Sequence, residues 1–456
     1  MERLIAWVQR ADSWAWGPWM VVLLVGTGLY LTIRLRFLQV RLFRHGIHII
    51  KGDYDTPEEK GDISHFQTLS AVLSATIGTG NIAGVATAIA AGGPGAMFWM
   101  WVTAAVGMVT KFSECMLAHK FRVFRRDGLA AGGPMYVLER QLGMKWLGVL
   151  FAIFAGVASF GIGNMVQANS TADALRASVG VPTWASGLVM AVLTGAVILG
   201  GIKRIGIVTA ALTPFMCIAY VLAGLVVLVV RADMIPMALM EIVRGAFTPT
   251  AAAGGFAGAV VMQTIRFGVA RGVFSNEAGL GSAPMGHAAA KTNESVREGL
   301  VAMMGPFIDT IVVCSITGLT IVMSGAWKFA DEAGKQLTGA PLSSAAFSSI
   351  LGPAGDVVVS FGIVLFAYST LISWCYYGDR CFQYLFGDGA VTPYRVVYTL
   401  LVPIGAMAQL EVIWSLSDIA NALMAIPNLV ALLALSGLVV AEARGYERRR
   451  AEGVLP

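Results

Sequence analysis

Charge is scarce in this sequence: Asp, Glu, Lys and Arg make up 13% of its 456 residues, against 57% hydrophobic ones and a mean hydropathy of +0.72. That balance excludes a soluble domain. Apolar runs close to the roughly 20 residues that a helix needs to cross a bilayer make the chain a polytopic, all-α membrane protein. The net charge of +5 sits in the segments between those runs rather than in a patch, which is the membrane pattern and not a nucleic-acid footprint. Cysteine is rare as well. The five, Cys115, Cys217, Cys314, Cys375 and Cys381, lie in or near apolar runs without metal-ligand spacing, so they read as packing residues rather than a disulfide framework. Of five histidines, His45, His48, His65, His119 and His287, only His45 and His48 share a helix face, and no Asp, Glu or Cys beside them completes a zinc site. His-Glu-x-x-His, Gly-x-Ser-x-Gly and Walker motifs are all missing, which leaves a membrane enzyme without support. The start, Met1-Glu2-Arg3-Leu4, lacks the parts of a removable signal, and none is expected.

What the chain does have is an apolar stretch, 66–91, interrupted in its middle. It carries no ionisable residue, yet holds Ser74, Thr76, Gly78, Thr79, Gly80 and Asn81. Glycine costs a helix about 1 kcal/mol against alanine, so Gly78-Thr79-Gly80-Asn81 is where the helix is expected to unwind. Unwound backbone at membrane depth is tolerated only beside protein or a water-filled cavity. Its free amides suit an anion and its free carbonyls a cation, which describes a site for a charged solute and an ion. The alternative is that small residues there only let helices pack closely.

Eleven spans are expected: 16–37, 66–91, 97–118, 147–170, 184–200, 205–230, 256–286, 300–324, 355–378, 394–410 and 416–442. With the N-terminus outside, 22 of the 32 Lys and Arg fall on the cytoplasmic side, 7 fall outside, and Lys111, Arg266 and Arg271 lie within spans. The positive-inside rule therefore places the C-terminal tail, 443–456, in the cytoplasm of a plasma-membrane protein of the bacterial inner-membrane type. The longest external loop, 325–354, contains Pro341 and Ser343, which suit the start of a short interfacial helix, either over the entrance or as a passive connector. The span 256–286 is the second odd one, with Arg266, Arg271, Glu277 and a run of glycines where an uninterrupted helix would be apolar. Each charge at helix centre costs at least about 2.5 kcal/mol. Set the first span aside, and the rest divides as five plus five, 66–230 and 256–442, each half opening on an interrupted helix. Paired interruptions of this kind mark an inverted-repeat transporter with its site at the midplane, in a single membrane domain.

Three motifs carry a resemblance. Ser74 to Gly84, Gly92-Gly93-Pro94-Gly95 through Trp101, and Ser275-Asn276-Glu277-Ala278-Gly279-Leu280-Gly281-Ser282-Ala283-Pro284 are similar to the alanine/glycine:cation symporter family, within the amino acid–polyamine–organocation group. The similarity extends over nearly the whole chain. It implies a fold of the leucine-transporter type and sodium-coupled, in some members proton-coupled, uptake of alanine or glycine. It assigns Gly78, Thr79 and Gly80 to the substrate carboxylate, with Asn81 beside it. Backbone oxygens of Ser74 and Ile77, together with Thr370, would hold Na⁺ as the coupling ion, with no other cofactor. Phe267 and Gly268 would meet the ammonium group. Trp374 would wall the pocket on the helix face it shares with Thr370, and Asn164 and Gln167 would contribute amides.

Each of these has a plainer reading. Thr370 would bond only its own helix, Trp374 would be an interfacial aromatic, and Asn164 and Gln167 would join helices. Arg266, Arg271 and Glu277 read as a structural or gating ion-pair network. Lys111 and Glu114 read as a local pair, and Asp309 as a capped or paired carboxylate with a proton carrier as the rival. The expected mechanism is alternating access, with a small amino acid, Na⁺ and the lipid bilayer as partners. A channel fits two dissimilar broken helices poorly. The sequence is silent on oligomeric state, on alanine against glycine, and on Na⁺ against H⁺.

Overall fold

The computed structural model describes residues 2–56, 58–125, 128–248, 257–331, 334–408 and 411–455. Arg126, residue 256, the end of the 394–410 span and Pro456 lie outside them. Among the described residues, seven helices are long and apolar enough to cross a membrane, or eight if the pair His65–Thr76 and Gly80–Gly92, bent by 53°, counts as one. The remaining expected spans are helical but shorter or more polar. Ala96–Lys120 carries Lys111 and Glu114, Thr183–Ile198 has 16 residues, and Ala257–Asn276 carries Arg266 and Arg271.

Local chemistry sets the helix ends. Ser64 and Gln67 form a reciprocal capping box that starts His65–Thr76. That helix stops where Ile77 turns extended, at φ −78° and ψ 91°, and after Thr79 the chain resumes as a π-turn, Gly80–Gly84, and the helix Val85–Gly92. The second broken helix runs Ala257–Asn276, opens over 277–282 and closes with Ala283–His287. Pro353 opens a 34-residue helix, Pro353–Phe386, because its missing N–H is not needed in the first turn.

Two span boundaries and the purely helical expectation need correcting. Pro353–Phe386 extends eight residues beyond the 355–378 span, so Trp374 lies well inside it. The 416–442 span is two helices, Glu411–Ala434 and Ser436–Ala451, because the second is too polar to continue the first and ends in Arg448, Arg449 and Arg450. The basic 119–146 loop contains a two-stranded hairpin, Val123–Phe124 with Ala130–Ala131, and a helix, Pro134–Leu142.

The interior is built from the broken helices, Lys145–Val179 and Pro353–Phe386, whose Phe151, Phe366 and Trp374 are buried. Gly201–Val230 and Thr183–Ile198 turn outward instead, with Val229 at 75% and Val192 at 65% exposure. Apolar surface on that scale is unfavourable in water and suits lipid.

Candidate functional site

The break in the first helix packs against Pro353–Phe386. Thr370 Oγ1 donates to Ser74 O at 3.1 Å and lies 3.4 Å from Ile77 O. Ser74 Oγ donates to Ser369 O at 2.8 Å, and Ser369 Oγ returns to Ser74 O at 3.2 Å. Two carbonyls and a hydroxyl, almost 300 residues apart in sequence, thus converge at one point. Such an all-oxygen cluster is what a hard monovalent cation requires, and Ser373 Oγ, buried and unbonded, is on the same helix. The backbone at Gly78 makes this approach possible, since a Cβ there would lie 2.6 Å from Thr370 Oγ1.

Gly78 N–H is already taken by Asn81 Oδ1 at 2.9 Å. Asn81 Nδ2 donates to Asp309 Oδ1 at 2.6 Å, and Asn81 O accepts from Thr317 Oγ1 at 2.8 Å. Asn81 is therefore fully engaged in holding the break. Thr79 is not. Among the described residues, its amide has no backbone acceptor and its buried Oγ1 has no partner, while the residue lines a cavity of about 670 Å³ with Asp173, Ser344 and Asp356. The helix Gly339–Leu351 forms one wall of that cavity and is tied down by Ser343 Oγ on Ile82 O at 2.9 Å and by a short Ser344–Asp356 hydrogen bond.

Asn164 lies in a π-turn, Gly161–Met165, and Gln167 in the first turn of the helix that follows, Val166–Val179. Their amide nitrogens are used, on Tyr398 O at 2.7 Å and Ile162 O at 3.0 Å, but Asn164 Oδ1 and Gln167 Oε1 are buried without donors. Gln167 Oε1 is 3.5 Å from the position of a Cβ on Gly78. Trp374 is buried against Gly163, where a Cβ would come within 2.5 Å of the Trp374 Cβ and 2.8 Å of its ring, and its Nε1 donates to Glu277 Oε1 at 2.9 Å. The interfacial reading of Trp374 is thereby removed.

Phe267 and Gly268 are not brought to the first break. They sit about two turns away from the second break, Gly268 against Ala96 and Trp99, and Phe267 beside Asp12, Trp16 and Arg271. Phe274 and Ser275, which the sequence reading passed over, are the residues packed on Gly80. The signal was available: helical rise places only the last turn before a break at its depth.

Other expectations also change. Glu277 does not join the arginines. It adopts a left-handed φ of 55° and accepts from Trp374 and from Ser282 Oγ at 2.6 Å. Arg271 pairs instead with Asp418 at 3.7 Å, and Arg266 caps Trp16 O and Ser13 O. Lys111 and Glu114 are not a local pair, because both reach the second break. Lys111 Nζ donates to Asn276 O at 2.9 Å, while Glu114 accepts from Asn428 at 2.7 Å and Gly279 N at 3.4 Å. Asp309 accepts from Asn81, from Ser275 at 2.9 Å and from Thr310 at 2.7 Å, and so links the two breaks. His45 meets Tyr446 at 2.7 Å and His48 meets Asp53 at 2.6 Å, each on its own partner.

A family model described as the sodium:alanine symporter family matches residues 1–456. The sodium/alanine symporter AgcS of Methanococcus maripaludis is 49% identical over 98% of this chain and 98% of its own length. A probable sodium/glutamine symporter, GlnT of Bacillus subtilis, is 36% identical over 98% of this chain and 91% of its own. Among solved structures, MhsT in complex with L-phenylalanine superposes with a TM-score of 0.57 at 14% identity, covering 84% of this chain and 89% of that one. That likeness gives the fold, one of the leucine-transporter type.

Proposed function

Because the chain belongs to the sodium:alanine symporter family, a family of transporters and not of enzymes, we propose that it carries alanine into the cell together with Na⁺ by alternating access. The observation that carries this reading is the convergence of Ser74 O, Ile77 O and Thr370 Oγ1 at the break that also holds Thr79. Na⁺ takes the three oxygens. The substrate carboxylate takes the Thr79 N–H and hydroxyl, shaped by Gly78 and Gly80 and held in place by Asn81, at the positive end of the helix that follows.

The ammonium group, with three donors, meets Gln167 Oε1 and Asn164 Oδ1, two buried amide oxygens without partners among the described residues. The second broken helix contributes its Phe274–Ser275 end rather than Phe267 and Gly268. Trp374, fixed by Gly163 and Glu277, limits side-chain size. Ion and substrate share the 77–79 segment, so each stabilises the conformation that the other binds, and that mutual preference is the coupling.

The ten helices after the first span form two inverted repeats in this reading. Lengths support it: after each broken helix come 25, 35, 16 and 30 residues in one half and 30, 34, 17 and 24 in the other. The N-terminus is outside and the C-terminus cytoplasmic, which makes the cavity at Thr79 the external vestibule. Asp309 favours a second reading, in which a proton replaces Na⁺, because this buried carboxylate has only neutral donors. Uptake of labelled alanine and glycine into proteoliposomes tests both. An inward sodium gradient should drive alanine accumulation, whereas accumulation driven equally by a proton gradient without sodium supports the second reading.

A further inference from the structure

A cavity of about 440 Å³ opens at the ends of the membrane helices, where the 199–203 turn meets the turn leading into Val391–Met407. Its polar wall is made by Arg125, Lys203, Tyr376, Arg380, Asp388 and Arg395. In the orientation proposed above, it faces the cytoplasm. Arg380 is only 2% exposed, its Nε has no hydrogen-bond partner, and among the described residues no carboxylate lies within ion-pair distance of it. Its guanidinium stands 4.9 Å from the Tyr376 ring centroid, and Tyr376 Oη is also buried and unbonded.

The neighbouring carboxylates are committed elsewhere. Asp388 pairs with Arg125 at 3.2 Å, and Asp379, behind the wall, accepts from Arg395 Nε at 2.9 Å. Asp62 accepts the Ala130 N–H at 3.0 Å; burial raises its pKa, against that hydrogen bond and the pull of Lys203, Arg122 and Arg380. Among the described residues, four cations, Arg125, Lys203, Arg380 and Arg395, therefore meet three carboxylates, Asp388, Asp379 and Asp62. The 30-residue helix Gly201–Val230 also begins at this wall without a side-chain cap, adding free amides and the positive end of its dipole.

A buried guanidinium with no acceptor is costly, and an oxyanion bound to Arg380 and Tyr376 would remove that cost. The rim points to where the anion comes from. Leu199 is 60% exposed there, and the exposed Val396 and Leu400 of one flanking helix and Val192 of another continue an apolar surface away from it. We propose that this cavity is an oxyanion site for phosphate and that its ligand is the headgroup of an anionic phospholipid, with the acyl chains along that apolar surface.

The full-length protein in nanodiscs tests this, with thermal stability and retained lipid (by native mass spectrometry) as readouts. Phosphatidylglycerol should be retained and should raise the melting temperature relative to phosphatidylcholine alone. Arg380→Gln should retain about tenfold less, in line with loss of a charged hydrogen bond, and should lose the lipid-dependent rise. Should that variant fail to fold, Tyr376→Phe removes one donor at nearly constant volume and should weaken retention in the same direction. Equal lipid response in wild type and variants would overturn the site. Millimolar inorganic phosphate in phosphatidylcholine discs, if it stabilises as much as phosphatidylglycerol, would overturn the headgroup as the source.

Discussion

Thr79 makes a sharp test at the level of single residues, because its backbone already has φ −58°, a value that proline adopts. Thr79→Pro deletes an amide with no acceptor among the described residues. If that amide holds the substrate carboxylate, half-saturating alanine should rise roughly tenfold to a hundredfold, as expected for a charged hydrogen bond, while Thr79→Ser stays close to wild type. Unchanged alanine kinetics in Thr79→Pro would remove the amide from the site. Trp374 makes a second test. An apolar wall discriminates by about 1–3 kcal/mol per methylene, so Trp374→Ala should weaken alanine transport and let serine, valine or leucine compete better for labelled alanine. An unchanged competition ranking would mean that the indole only supports Glu277.

Some of this was legible in the sequence and some was not. Ser74 and Gly78 stand out by residue type, as a hydroxyl and a glycine inside an apolar span, whereas Ile77 and Thr370 were reached through the family resemblance. The engagement of Asn81 with Asp309, and of Lys111 with Asn276 O, was not legible. Both pairings join residues 165 or more positions apart, and a side chain does not announce its partner.

For the elements, what matters is how each break is held open. The second break rests on groups from three other helices: Lys111 on Asn276 O, Glu114 with Asn428 around Gly279, and Trp374 on Glu277. Glu277 itself stays left-handed, a conformation that costs a non-glycine residue of order 1–3 kcal/mol. Removing one support should therefore propagate. Lys111→Met leaves Asn276 O and the nearby carboxylates without their cation, at about 3 kcal/mol or more, and should lower the melting temperature and the alanine affinity together. A variant that melts like wild type and binds normally would show that the break does not depend on this lysine. The interruptions themselves were readable from Gly, Asn and charge. The residues at each break were less so: the resemblance pointed to Phe267 and Gly268, whereas Phe274 and Ser275 are the ones packed on Gly80.

For the whole molecule, the proposed orientation rests on the expected division of basic residues, 22 on one side against 7 on the other. A cysteine in place of Lys335 should be labelled by an impermeant reagent from outside, and a reporter joined after Leu455 should be cytoplasmic. The opposite labelling would reverse the vestibule and the phosphate cavity together. Above orientation stands the proposed coupling, in which one stretch of backbone is to serve ion and substrate at once. Reciprocity then requires sodium to tighten alanine binding by the same factor that alanine tightens sodium binding. The most direct measurement is alanine affinity of the purified protein across a sodium titration, in wild type and in Thr370→Ala. Wild-type affinity should climb with sodium, and the variant should need at least about tenfold more sodium to reach it, as loss of one ligand from a small oxygen cage implies. Superimposable sodium dependence in the two proteins would contradict the ion site at Ser74, Ile77 and Thr370.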